Sequence, residues 1–353
     1  MSKINVATIL TAAAAALLAT TSLAFAELQR KELNVVGGLS NLSQYKNYEQ
    51  PFWTKHIQQA SGGKITATIT GFNDMGLKGG EILRLMGQGV IDFGTTVLGY
   101  TASDDPRNEA VDLAGLAPDI ATARRVADAY KPVLDAYFRK KYGIKVLGVW
   151  PYPAQVIYCN KPIEGIGDFA GKKVRTGNRT LAEFVEATGG IGVTMAFAEV
   201  VPALQKGVVD CAITGTLSGN AAKWPEVATH LYALPVGWST LVHGANLKTW
   251  DKLNADTQQF LIKEISGLED RIWKAADEES QEGINCNIGQ DPCVNGTKAK
   301  MTLVPVSDAD RQRVTKILND VVVPKWVERC GKECAEEFNK TIGSVAGVTA
   351  KVK

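Results

Sequence analysis

The sequence predicts an α/β fold built as two lobes, and three observations carry that prediction. Strand-like and helix-like segments alternate along the chain, a pattern that covers largely parallel sheets with helices. Of the 353 residues, the about 327 that follow residue 26 exceed what one compact core usually holds. Two segments also repeat each other. EILRLMGQGVIDFGTT (81–96) aligns with EVVPALQKGVVDCAIT (199–214), with Glu, Gly, Asp and the final Thr in register.

In chain order, 32–38 is a short apolar strand, 45–60 a helix and the alternating KITATIT (64–70) a second strand. A helix over 80–88 leads to a strand over 90–95, and a long helix over 121–142 to a strand over 144–150. The pattern then restarts with strands 154–159 and 173–176, helices 180–188 and 199–206, and strand 208–214. In the repeated segments a glycine (Gly89, Gly207) closes the helix and a strand emerges after Asp92 or Asp210, which places Thr96 and Thr214 at corresponding strand ends. Ligands of open α/β sheets bind beyond the carboxyl ends of strands, so two such edges facing each other make a cleft. Asn254 reads as the N-cap of a helix carrying Phe260, Leu261, Ile265, Leu268, Ile272 and Ala276 at helical spacing. Nearly thirty residues at about 1.5 Å each span roughly 40 Å, enough to brace both lobes.

The N-terminus has Lys3, an apolar run over 9–18 and Ala24-Phe25-Ala26 before Glu27, which reads as a secretory signal peptide over residues 1–26. A membrane anchor is the rival reading, but the run is short and broken by threonines and a serine. Without Lys3 the chain keeps a formal charge near +1 and no basic block, so nucleic acid and anionic membrane surfaces are not indicated partners. The six cysteines suit an oxidising compartment, although six allow about 15 pairings. The expected set joins Cys159 to Cys211 across a long loop, and Cys286 to Cys293 and Cys330 to Cys334 across short ones. The last pair requires a non-helical turn at Gly331.

Catalytic motifs are missing. GTLSG (215–219) places its serine one position late for a nucleophile elbow, and HExxH, a Walker A loop and a strand-linked GxGxxG do not occur. CxxC pairs are absent, and His56, His230 and His243 are scattered, so no metal site and no cofactor is expected.

GKKVRTGNRTLAEFVEATGGIGVTMAFAEVVPALQKGVVDCAITG, continuing to KWPEVATHLYALP, resembles the solute-binding proteins of tripartite ATP-independent periplasmic (TRAP) transporters. The resemblance covers most of the chain after residue 26 and is strongest over 171–227. It implies a periplasmic protein with the two-lobed periplasmic binding protein fold, joined by hinge strands and braced by the long helix. Lobe I would comprise 27–150 and 237–268, and lobe II 151–236 and 269–353. A small carboxylate ligand is implied, as are the small and large membrane subunits of an ion-gradient-driven permease; a monomer is expected.

Arg175 matches the family's carboxylate-binding arginine, Asn178 the asparagine three places on, and Phe197 the aromatic of its M-x-F motif. The sequence also departs from the pattern. Gln155 stands where many members carry a second arginine, and Thr214 stands at an asparagine position, which points to a monocarboxylate with a neutral or aromatic remainder. Thr96, Trp150 and Trp238 complete the expected ligand set from the strand ends and hinges. Core packing is the alternative for Phe197 and both tryptophans, and a plain strand role for Gln155 and Thr214. A receptor for an ATP-driven permease, a sensor and a secreted enzyme are the competing functions.

Overall fold

The computed structural model describes residues 27–352, so the signal segment expected over 1–26 lies outside the described residues. Strand β1 (Lys31–Gly37) is followed by a helical rod ending in α1 (Ile57–Ala60), then by β2 (Ile65–Gly71). Two turns of that rod, Gln44–Glu49 and Phe52–His56, are π-helical rather than α-helical, on either side of Pro51, which has no N–H to give an α-helical bond. Helix α2 (Ile82–Gly87) closes at Gly89, where φ is 76°, and β3 (Phe93–Val97) follows. This strand starts later than the apolar pattern implies because Val90 is an exposed turn residue. Helix α3 (Ile120–Tyr142) runs from the Asp119 cap, whose side chain accepts the Thr122 N–H, and leads into β4 (Ile144–Trp150).

Beyond a short crossing come β5 (Gln155–Cys159), β6 (Lys173–Thr176), α4 (Arg179–Ala187), β7 (Ile191–Thr194), α5 (Val200–Gln205), β8 (Cys211–Gly215), α6 (Thr216–Ala221) and β9 (His230–Tyr232). The chain crosses back to β10 (Leu241–Asn246) and α7 (Leu247–Asp251), enters α8 (Ala255–Ile288), and ends with β11 (Thr302–Val304), α9 (Asp308–Ile317), α10 (Val323–Cys330), α11 (Lys332–Phe338) and α12 (Ser344–Ala346). The sheets are β2-β1-β3-β10-β4 and β11-β9-β5-β8-β6-β7. Each is parallel in part: β1 runs with β2 and β3, and β6 with β7 and β8, whereas β10 and β5 are antiparallel to both neighbours. These two are the strands that enter a lobe from the other one. A strand arriving through the cleft must run away from it, while the strands paired with it run towards it.

The repeated segments are built alike. Asp92 accepts the N–H of Asn34 through its carboxylate, and its own N–H donates to the Asn34 carbonyl; Asp210 does the same for Lys173. Each aspartate therefore pins a neighbouring strand to the start of its own.

Helix α8 is 34 residues long and is capped by Asn254, whose side chain accepts the Thr257 N–H. On lobe I, Glu269 accepts the Val149 N–H at 2.8 Å and Trp273 donates its indole N–H to the Val149 carbonyl at 2.9 Å. On lobe II, Gly283 lies against α6, where a Cβ would meet the Leu217 nitrogen at 2.2 Å. Glycine is required by that close approach, and the helix braces both sheets. The cysteines pair as Cys159–Cys211, Cys286–Cys293 and Cys330–Cys334, and Gly331 breaks the helix between α10 and α11 with φ at 85°. Among the described residues no helix is long and apolar enough to cross a membrane.

Candidate functional site

Strand β6 carries Val174 into the core of lobe II and turns Arg175 the opposite way, as strand alternation requires. Arg175 is only 2% exposed. Its Nε and Nη2 donate to the Met195 carbonyl at 3.2 and 2.9 Å, and Nη1 donates to the Ile213 carbonyl at 2.8 Å. A guanidinium has five N–H donors in a fixed fork, so Nη1 and Nη2 each keep one more. The hydroxyl of Tyr100, from lobe I, lies near this guanidinium across the cleft and favours its charged form. Burial pulls the pKa of Arg175 below its ordinary value, opposed by Tyr100 and the field of Glu199. Among the described residues no carboxylate lies within 4 Å of it. Glu199, the nearby acid, is engaged elsewhere: Oε2 accepts the Ala196 N–H and Oε1 accepts Lys78 Nζ at 2.8 Å, across the cleft.

Gly177 passes the guanidinium at ordinary contact distance, a Cβ there lying 3.7 to 4.0 Å from Nη2, Nη1 and Cζ. Asn178 then caps α4, its Oδ1 accepting the Leu181 N–H at 3.0 Å, and packs against Gly99 of lobe I. A cleft of about 520 Å³ opens between Lys78, Gly99 and Tyr100 on one wall and Gly177, Asn178 and Met195 on the other.

The other expected site residues are placed as follows. Phe197 is partly buried, with its ring 5.6 Å from Trp224, which in turn lies 5.8 Å from the Arg175 guanidinium. Thr214 is buried on β8 opposite Val156, one residue from the carbonyl that Arg175 grips. Gln155 is buried beside the crossing, its amide donating to the Pro153 carbonyl at 3.1 Å. Thr96 donates to the Gly79 carbonyl at 2.7 Å and so fixes the loop that forms the lobe I wall. Of the expected ligand residues only Asn178 is among those lining this cleft; Arg175, Gln155, Phe197, Thr214, Thr96, Trp150 and Trp238 are not. Trp150 is fully buried and stacks on His243 with ring centres 5.3 Å apart, while Trp238 donates its indole N–H to the Ala117 carbonyl. Both are large enough that burying them in lobe I and at the crossing gains more than exposing them to the cleft.

Tyr100 was not singled out from sequence. It sits three residues beyond β3, at a strand end of the kind where ligands bind, and that position is the signal that could have found it. Among the described residues no three His, Cys, Asp or Glu side chains gather as a metal site.

Residues 40–325 match the family of bacterial extracellular solute-binding proteins, family 7 (DctP). The chain belongs to this family. It is similar to the ectoine-binding periplasmic protein TeaA of Halomonas elongata, with 25% identity over 62% of this chain and 70% of the relative. It is 30% identical to the C4-dicarboxylate-binding periplasmic protein DctP of Rhodobacter capsulatus, over 40% of this chain and 43% of the relative, less than half that relative's length. The fold is similar to that of DctP7, a Bordetella pertussis extracytoplasmic solute receptor binding pyroglutamic acid, with a TM-score of 0.76, 20% identity, and coverage of 88% of this chain and 98% of the receptor. The two-lobed α/β architecture of a TRAP solute receptor is therefore the fold of this member of the family.

Proposed function

We propose that this protein is a periplasmic receptor that closes over a small monocarboxylate held by Arg175 and hands it to an ion-gradient-driven TRAP permease of small and large membrane subunits. The lobes are taken to meet at 150/151 and 236/237, and the protein performs no chemistry on its ligand. Arg175 carries the reading. A buried guanidinium that donates only to main-chain carbonyls, with no carboxylate within 4 Å among the described residues, has a desolvation cost that the nearby Tyr100 hydroxyl and the field of Glu199 offset only in part, and its two remaining N–H groups match the two oxygens of a carboxylate. The dicarboxylate named for one relative and the pyroglutamic acid named for one structural neighbour are both carboxylates. Gln155, in place of a second arginine, supports a single acidic group.

A thermal-shift screen of carboxylic acids followed by calorimetry tests this. A ligand at a hundred times its dissociation constant stabilises by about 2.7 kcal/mol, well within detection. Arg175→Lys keeps the charge but not the fork and should weaken binding at least about tenfold, or 1.4 kcal/mol, with Arg175→Ala weaker still. Wild-type affinity in Arg175→Ala would make Arg175 a structural residue and reject the reading.

A further inference from the structure

The Arg175 guanidinium has a neighbour beyond the carbonyls it grips. Its Cζ lies over the indole of Trp224, 5.8 Å from the ring centre. Trp224 follows α6 and is fully buried, and among the described residues its indole N–H has no acceptor. A buried tryptophan usually finds that acceptor, and phenylalanine in the same place would leave no donor unpaired. What tryptophan offers instead is its ring face, which attracts a cation more strongly than that of any other side chain, and most when both are out of water.

The ring is itself held in place. Tyr158 on β5 meets it edge-on, with ring centres 5.3 Å apart and planes at 77°. The Tyr158 hydroxyl donates to the Thr216 carbonyl at 2.5 Å and accepts from the Asn287 amide at 2.8 Å, so α6 and α8 both anchor it. A Cβ at Gly219 would lie 2.6 Å from the Tyr158 ring, which leaves that ring no room to move towards α6. Phe197 lies against Trp224 with planes 31° apart. Trp224 is therefore a fixed wall, and the long side chain of Arg175 is the partner with freedom to lose. The Met195 and Ile213 carbonyls hold the guanidinium along its edges but let it tilt about those bonds. A ring against its face removes that tilt.

We propose that Trp224 is a positioning residue for Arg175: its indole sets the tilt of the guanidinium before any ligand arrives, so that the two unused N–H groups form a ready fork. This rests on the carboxylate reading of Arg175. A fork ordered in advance has no ordering cost left when the carboxylate binds, so removing the wall weakens binding although every group that touches the carboxylate remains. The ring also decides the side of approach. The negative face of an aromatic ring repels an anion and so closes that face of the guanidinium to a carboxylate.

The test uses the full mature chain with Trp224→Leu, which keeps apolar bulk, and Trp224→Phe, which keeps a ring. One arm needs no ligand. In protein carrying isotope-labelled arginine, nuclear magnetic resonance should show separate Nη–H signals for Arg175, displaced by the ring current and assigned by their loss in Arg175→Lys. Trp224→Phe should reduce the displacement, and Trp224→Leu should abolish it and merge the signals. The second arm is a double-mutant cycle by calorimetry, with whichever of L-lactate, L-pyroglutamate and benzoate raises the melting temperature most. Trp224→Leu should weaken binding about five- to thirtyfold beside Arg175 but less than about twofold beside Arg175→Met, and Trp224→Phe about two- to threefold beside Arg175. Unchanged Arg175 signals in Trp224→Leu, or equal weakening in both backgrounds, would overturn the proposal; Trp224→Phe carries both arms if Trp224→Leu does not fold. Failure of the carboxylate reading looks different: Arg175→Met would then bind the acid as tightly as wild type, while the Arg175 signals still moved with Trp224.

Discussion

Replacing Arg329 by methionine tests how the lobes and the C-terminal segment are held together. Arg329 sits on α10 and is 14% exposed; its Nη2 donates to Glu109 of lobe I at 2.9 Å, and its Nη1 donates to Glu183 on α4 of lobe II. Nη1 also reaches the Lys325 carbonyl at 3.1 Å. One guanidinium thus joins three parts of the chain. Methionine keeps much of the stem volume but leaves two buried carboxylates, each with an oxygen already lacking a partner. Breaking a buried pair from one side costs about 3–5 kcal/mol. Taking about 4 kcal/mol, and about 2–4 °C per kcal/mol for a large domain, the melting temperature at pH 8 should fall by roughly 8–16 °C.

The sign of the pH dependence follows from the acids. Burial raises both Glu109 and Glu183 above the ordinary glutamate value, and Arg329 is the main opposing influence on each. An acid whose folded pKa is raised holds more protons when folded, so its contribution to stability declines as pH rises through and above the ordinary glutamate range. Without Arg329 both acids rise further. The gap between variant and wild type should therefore be largest at pH 8 and narrow at pH 5, where the acids protonate in place. Urea unfolding followed by circular dichroism at both pH values measures this. A gap below about 1 kcal/mol at pH 8, or one that does not narrow at pH 5, would refute the reasoning. Adding Glu109→Met and Glu183→Leu to Arg329→Met should recover most of the loss, since an apolar replacement of the whole cluster leaves no charge buried.

Two further outcomes follow from the fold. Thiol titration of the denatured, unreduced protein should find no free thiol, because all six cysteines are bridged, and removing the Cys159–Cys211 bridge should cost roughly 4 kcal/mol for a loop of that length. Lys78→Ala or Glu199→Ala removes an exposed ion pair that exists only when the cleft walls meet; ligand should dissociate roughly two- to fivefold faster at low salt, the difference should vanish near 0.5 M salt, and the swap Lys78→Glu with Glu199→Lys should restore the slower rate.

The elements that were legible in the sequence share a physical trait: their signal is complete within one window. Residues 144–150 and 173–176 read as strands and are strands, and Asn254 announces α8 because its cap and apolar stripe are local. The π-helical turns around Pro51 were not legible, since a wide turn and an α-turn have the same apolar period within so short a stretch. Nor were β7, β9 and β11. They are three or four residues long, and what makes them strands is a partner far off in sequence: β11 pairs Thr302–Val304 with His230–Tyr232. The antiparallel placing of β5 and β10 is likewise invisible locally, because it follows from which lobe the chain has just left.

The two halves of the candidate site differ in the same way. The lobe II half is written in one run, where Arg175 and Asn178 stand three residues apart and each has a type that its task demands: a fork and a cap. An arginine turned from a strand towards a cleft stands out in that run because it has no reason to be there unless something negative arrives. The lobe I wall is assembled from Lys78 ahead of α2 and Gly99 and Tyr100 beyond β3, while the buried Glu49 reaches the end of β1 from a helical turn. None of these is unusual in its own neighbourhood. A tyrosine past a strand reads as an ordinary aromatic, and a glutamate on a helix reads as a solvated charge until the fold shows it 1% exposed. The Gly37-Gly38 pair was the one local trace, for two glycines closing an apolar strand mark a place where another group comes close to the backbone, and here that group is the carboxylate of Glu49.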